Sequence, residues 1–159
     1  VKLFKQGICV SYETFLVILY NIFMPKVFTS KSQKTGEIGE NIAVRFLVKH
    51  GFLIKERNYT KKYGEIDIVA EKQGKLYFVE VKSVTVKNID YVVSHETNEY
   101  KPEDNMHPWK LLRLSRTIQA YLSSAKFKDG VEWQVDLLIA YLDMDNKKSK
   151  IKVVKDIIL

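Results

Sequence analysis

One cysteine, three prolines and seven glycines are all that a chain of 159 residues contains of these types. The lone Cys9 can form no internal disulfide, and no Cys/His cluster has zinc-site spacing, so a disulfide scaffold and a zinc module are both excluded. A reducing compartment, the cytoplasm, is expected. So little glycine and proline rules out collagen-like and low-complexity chains. Phosphate-cradling glycine loops, the dinucleotide fingerprint and the Gly-x-Ser-x-Gly elbow are missing too. Long apolar runs are also lacking. Residues 15–24 (FLVILYNIFM) are apolar apart from Asn21 but fall short of the ~20 residues that span a bilayer. Pro25, Lys26, Val27 and Phe28 follow in place of a small-residue cleavage site. A packed or surface-lying helix is expected there, without stable membrane insertion; in the alternative reading native translation starts at Met24 and the run is not part of the native protein.

What is present suits one globular domain with its own core: 46% hydrophobic residues, and 26 Lys+Arg against 19 Asp+Glu for a net charge of +7. The basic surplus favours a polyanionic partner, nucleic acid or an anionic membrane, without choosing between them.

Hydrophobic periodicity predicts a first helix over 37–50, with Ile38, Ile42 and Phe46 at four-residue steps, widened by Ala43, Leu47 and Val48, and with Thr35 as its cap. Strands are expected at 52–58, 65–71 and 76–82, the last two joined at Gln73-Gly74. Residues 86–108, without period and with Pro102 and Pro108, read as a long loop. A second helix over 109–124 carries Leu111, Leu114, Ile118, Tyr121 and Leu122. Strands at 132–142 and 150–155 flank a turn at Asp143-Met144-Asp145-Asn146. This order predicts a mixed α/β sheet with a helix on each side or both on one.

Chemistry concentrates in the second and third strands. Alternation puts Glu65, Asp67 and Val69 on one face, and Leu76, Phe78, Glu80 and Lys82 on one face. A turn pairing Ala70 with Lys75 would set Asp67 opposite Phe78 and diagonal to Glu80, about 7–8 Å away. Two carboxylates across that gap can share a hard cation at the ~2.0–2.1 Å oxygen distances of Mg²⁺. A carboxylate and an ammonium directly after Tyr77-Phe78-Val79 need compensation beside a core. Val81 can pack inward and still offer its carbonyl to the cation. Lys82 can orient or help deprotonate an attacking water and stabilise a phosphorane-like transition state. Glu40, on one stripe with Val44 and Leu47, can look toward these acids. Alternatively Glu37 and Glu40 sit in the first helical turn and complement its dipole.

Lys110, Arg113 and Arg116 recur every third residue on the second helix, and Lys61 and Lys62 precede Gly64. These five can contact phosphates without reading sequence, or form a solvated face. Trp109, Tyr59 and Tyr63 can stack on splayed bases or simply pack. His50 fits a helix C-terminus, while His95 and His107 carry no assignment.

Four pieces in order carry a resemblance: Gly36-Glu37-Ile38-Gly39-Glu40 with Ala43, Glu56-Arg57-Asn58-Tyr59, Gly64-Glu65-Ile66-Asp67, and Phe78-Val79-Glu80-Val81-Lys82. Together they resemble the YraN-like family of small bacterial proteins, which is similar to Holliday junction resolvases and restriction endonucleases, over roughly residues 24–142. The resemblance implies a restriction-endonuclease-like α/β fold, a mixed sheet of about five strands with flanking helices, over 34–159 after an extension at 1–33. Asp67 matches the first metal-binding acid, Glu80 and Lys82 the E-x-K half of the PD-(D/E)xK motif, and Glu40 the helix-borne acid of the resolvase-like branch. Ile66 stands where the motif's name has proline. Ser83-Val84 replaces a Thr-Arg pair of many relatives, so one basic contact has no counterpart. Lys110 matches a lysine opening the second helix, and Asp136 a late-strand aspartate.

The implied activity is Mg²⁺- or Mn²⁺-dependent hydrolysis of phosphodiesters in DNA, branched or structured DNA included, with metal ligands Asp67, Glu80, Glu40 and the Val81 carbonyl. Resolvases meet a two-fold junction as dimers, which extends the expectation to a homodimer. Two other classes stay open, because folds host inert members: a catalytically silent nucleic-acid-binding module, and an accessory partner-binding protein with incidental charge.

Overall fold

Ser30 starts the first helix. Its side chain accepts the Gln33 N–H at 3.3 Å while Gln33 Oε1 accepts the Ser30 N–H at 3.1 Å, a reciprocal capping box that opens α1 (Lys31–Lys49). The helix thus begins six residues before the expected bound at residue 37. Thr35, the expected cap, lies inside it and returns its hydroxyl to the Lys31 carbonyl at 3.0 Å. Glu37 and Glu40 consequently sit beyond the first turn, which holds no acid, and the dipole explanation for them fails. At the other end the His50 N–H and ring Nδ1 both engage the Phe46 carbonyl, as a C-terminal histidine should. The computed structural model describes residues 30–89, 107–124 and 130–157. Cys9, the apolar run at 15–24 with Met24, His95 and most of the 86–108 loop lie outside the described residues.

Five strands follow: β1 (Leu53–Lys61), β2 (Gly64–Lys72), β3 (Lys75–Thr85), β4 (Trp133–Asp143) and β5 (Lys148–Val154), with α2 (Pro108–Ser124) between β3 and β4. They form one sheet in sequence order. Neighbours are antiparallel except β3 and β4, which run parallel, so α2 is their crossover helix. This is the expected five-stranded mixed α/β sheet, consistent with a restriction-endonuclease-like domain. No described helix is long and apolar enough to cross a membrane.

The helices take opposite faces. Under α1, Ala43 and Leu47 meet Ile68, Ala70, Val79 and Leu138. Under α2, Leu114, Ile118 and Tyr121 meet Tyr59, Val69, Leu76, Phe78 and Val135. The buried stripe of α1 is Gly39, Ala43 and Leu47, one position on from the expected Ile38, Ile42 and Phe46, and Val48 is 56% exposed. The stripe turns because Gly39 sits directly on the sheet. A Cβ there would lie 1.9 Å from Ser83 Oγ, 3.0 Å from Ser83 Cβ and 3.4 Å from Ala140 Cβ.

The edges of the sheet differ from its centre. β1 carries a register shift between Ile54 and Glu56, and β5 alternates Lys148, Lys150 and Lys152 with Ile151 and Val153. At the β4–β5 turn Asp143 Oδ1 accepts the Asn146 N–H at 2.9 Å, bearing out the turn at 143–146.

Gly39→Ala is expected to destabilise the protein by about 1–3 kcal/mol, because overpacking outweighs the ~1 kcal/mol gain in helix propensity. Urea unfolding measures it. In a Ser83→Gly background, where both nearest atoms are gone, the penalty should disappear.

Candidate functional site

The site is built where β2 and β3 part. Their turn is tighter than the sequence spacing suggested: Lys72 pairs with Lys75 around Gln73 and Gly74, whose φ values are +53° and +78°. Two consecutive positive-φ residues suit a two-residue hairpin turn, and they move Ala70 opposite Tyr77 instead of Lys75. The correction is two residues, so the facing of every side chain is preserved. Asp67 is brought toward the level of Glu80, not Phe78. The ladder's last pair is Ile68 with Val79, and beyond it Asp67 Oδ2 accepts the Val81 N–H at 2.7 Å. A side chain has replaced a backbone carbonyl as the partner of β3. Within a strand the N–H and C=O of one residue point to the same side, so the Val81 carbonyl also faces the parted strand.

Two concavities meet at this point, and both are lined by Asp67 and Glu80. The arm beside α1 adds Glu40, Val81, Lys82 and Ser83, with Lys31, Ser32 and Thr35 from the opening turns of the helix. The arm beside α2 adds Gly64, Glu65, Trp109, Lys110 and Arg113. All the residues expected to serve the chemistry, Glu40, Asp67, Glu80, Val81 and Lys82, are therefore brought to one cleft.

Each acid is held by the chain. Glu80, 7% exposed, accepts a hydrogen bond from Lys110 Nζ. The charge that Glu80 needs beside the core is supplied from the first turn of α2. Lys110, placed by its spacing among phosphate contacts, thus stands in the acid cleft itself. Glu40 accepts a hydrogen bond from Asn58 Nδ2 at 2.8 Å and has Arg57 Nη2 at 3.8 Å. Arg57 also donates to Asn41 Oδ1 at 2.9 Å, clipping β1 to α1. Asn58 has φ +50°, a conformation asparagine tolerates better than most residues. Neither Arg57 nor Asn58 had been assigned a part. Their signal was the Glu56-Arg57-Asn58-Tyr59 motif, which spacing alone could not connect to Glu40.

Asp67 is the electrostatic focus. Burial, first, and then the nearby Glu80 push its carboxyl up to about 8, with Glu40 and Glu65 adding to the rise and the Val81 N–H opposing it. Paired oxygen donors that resist sharing negative charge suit a hard divalent cation. Asp67 and Glu80 fit that role, with the Val81 carbonyl on the same side. Among the described residues, no group of three or more His, Cys, Asp and Glu side chains could hold a metal ion as it stands. The arrangement is a pair of acids, with Glu40 engaged by Asn58 and Arg57.

The basic residues divide. Arg113 lines the α2 arm, and its Nε donates to the Tyr63 carbonyl at 2.6 Å. Lys61 and Lys62 lie over the rings of Tyr59 and Tyr63, 5.0 and 5.1 Å from the centroids. Arg116 is exposed but lines neither arm. Gly64 lets the hairpin approach α2, since a Cβ there would stand 3.2 Å from Thr117 Oγ1. Asp136 is outside the cleft: its Oδ1 accepts from Gln134 Nε2 at 2.7 Å and the Asp156 N–H at 2.9 Å, which ties down the segment after β5.

The raised carboxyl of Asp67 makes stability depend on pH. The folded chain holds this proton more tightly than an unfolded chain with a value near 3.8, so the group's contribution is full below that pH and is lost as pH rises through about 8. Asp67→Asn keeps an oxygen for the Val81 N–H and removes the titration. In EDTA its melting temperature should exceed that of the unmodified protein by several degrees near pH 8, a gap that closes toward pH 4. A gap independent of pH would contradict the assignment.

A family model described as uncharacterised protein family UPF0102 matches residues 39–144. A UPF0102 protein of Caldicellulosiruptor bescii is 31% identical over 124 residues, covering 78% of this chain and 96% of that protein. One from Campylobacter hominis is 38% identical over 108 residues, covering 68% and 84%. One from Dictyoglomus thermophilum is 35% identical over 97 residues, covering 61% and 74%. The matched span runs from Gly39, seated on the sheet, to the turn after β4, and so contains every acid of the cleft: the chain belongs to UPF0102, the YraN-like family.

Proposed function

We infer that the protein is a Mg²⁺- or Mn²⁺-dependent nuclease of the PD-(D/E)xK type that hydrolyses phosphodiester bonds in DNA. The observation that carries this reading is the meeting of Asp67 and Glu80, from two strands that have just parted, in a cleft that also receives Lys82 and Glu40. Asp67, Glu80 and the Val81 carbonyl would hold the ion, with Glu40 reaching it directly or through water. A bound divalent ion supplies Lewis-acid polarisation of the phosphate and makes water a better nucleophile. Lys82 positions the attacking water or takes its proton, and its charge offsets the negative charge that builds on phosphorus. The flanking phosphates would fall to Arg113 on one side, joined by Lys110 once an ion on Glu80 displaces it, and to Lys31 at the opening of α1 on the other, a sequence-independent and salt-sensitive grip. Lys61, Lys62 and Arg116 extend the basic surface beyond the cleft. Paired cuts across a two-fold junction need two copies of this cleft, so the reading extends to a homodimer working in the cytoplasm.

One observation favours a second reading. Lys110 already neutralises Glu80, and a lysine that permanently occupies the cation's place would leave a nucleic-acid-binding module without catalysis. Labelled branched, flapped and duplex DNA incubated with Mg²⁺, with Mn²⁺ and with EDTA separates the two. Cleavage that needs metal is expected. Asp67→Ala and Glu80→Ala should abolish it, and Lys82→Met should lower the rate about 10²–10⁴-fold, as for a lost general base. Tight binding with intact substrate in every metal would establish the silent module instead.

A further inference from the structure

Two exposed aromatic residues border the α2 arm, Trp109 in its lining and Tyr63 directly before Gly64 of that lining, and phosphodiester hydrolysis uses neither. Trp109, in the first turn of α2, is 54% exposed, and Tyr63, at the tip of the β1–β2 turn, is 37% exposed. Other rings of the same face are treated differently: Tyr59, Phe78 and Tyr121 pack edge to face in the core, with centroids 4.9 and 5.6 Å apart. Arg113 links the Trp109 ring to the Tyr63 backbone. Its Nε donates to the Tyr63 carbonyl, and its guanidinium lies 5.4 Å from the Trp109 centroid. Lys62 Nζ lies 5.1 Å from the Tyr63 centroid. Each ring therefore carries a cation over one face.

Wet aromatic rings interleaved with cations are the chemistry that single-stranded nucleic acid meets: bases stack on the rings and phosphates lie against the charges. Intact duplex offers the charges its phosphates but keeps its bases stacked on one another. Position adds direction. Trp109 and Arg113 line the same arm as Asp67 and Glu80, so a base on the indole belongs to the strand whose phosphate lies at the acids. We propose that Trp109 and Tyr63 form a stacking subsite for unpaired bases of DNA entering the acid cleft, which makes single-stranded or flapped DNA the substrate class. This deepens the nuclease reading and rests on its assignment of DNA as the ligand, but it does not depend on catalysis.

The test reads binding in EDTA, where no hydrolysis is scored. Anisotropy of fluorescein-labelled oligothymidylate and of a blunt duplex of equal length is measured for the full chain and for Trp109→Ala, Tyr63→Ala and Trp109→Phe. Each alanine variant should bind oligothymidylate about 5- to 150-fold more weakly, the loss of one stacked base. Duplex affinity should not change, and Trp109→Phe should retain most of the single-strand affinity. The chain has two tryptophans, so in Trp133→Phe selective indole excitation reports Trp109 alone, and oligothymidylate should quench it. Equal losses on both DNAs, no loss, no quenching, or no oligothymidylate binding by the unmodified protein would each overturn the proposal. A protein that stacks single strands yet cuts nothing refutes the nuclease reading alone, and one that cuts flapped DNA with Trp109→Ala unimpaired refutes this subsite alone.

Discussion

The hydrogen bond from the Val81 N–H to the Asp67 carboxylate governs the architecture of the cleft. An antiparallel ladder normally leaves no room between neighbouring strands, since every inward amide meets a carbonyl. Here β3 continues to Thr85 beside β4, while its pairing with β2 stops at Ile68 and Val79. The amide that would be stranded by this parting is satisfied by a side chain, so the strands separate without an unpaired donor. The gap is the cleft. The residue that permits it is also the acid at its centre, which couples the shape of the site to its charge.

Around that point the chain spends small residues to bring elements close and polar clips to keep them there. Gly39 seats α1 on Ser83 and Ala140, which carries the neighbouring Glu40 to the cleft wall. Gly64 does the same for the hairpin against α2. Asn58 and Arg57 fasten Glu40 from β1, and Lys110 fastens Glu80 from α2. Four separate elements thus hold two neighbouring acids in place. Carboxylates fastened this way are restrained before any ligand arrives, which favours binding by sparing the cost of ordering them.

Much of this was legible in the sequence, for identifiable reasons. All five strands and both helices announce themselves through period, and the hairpin of β2 and β3 through Gln73-Gly74. The bounds were less legible where a short polar device outranks hydrophobicity: α1 starts at Lys31 because Ser30 and Gln33 cap it reciprocally, and residues 30–36 (SKSQKTG) carry no apolar signal. The register differs from the expected one by one full alternation, since both turn lengths preserve facing and only the backbone angles of Gln73 and Gly74 distinguish them. Among site residues, Asp67, Glu80 and Lys82 could be placed from alternation alone. Lys110, Arg57 and Asn58 could not, because their partners lie 30, 17 and 18 positions away and contact at that range belongs to topology.

The two borders of the sheet carry a further implication. A bulge kinks β1 at Ile54 and Glu56, and β5 presents a lysine at every second residue from Lys148 to Lys152. Bent or densely cationic margins repel another extended chain that would otherwise continue the hydrogen-bond pattern. Fibrous stacking is thereby discouraged at either flank of the described sheet, leaving its main-chain borders unspent.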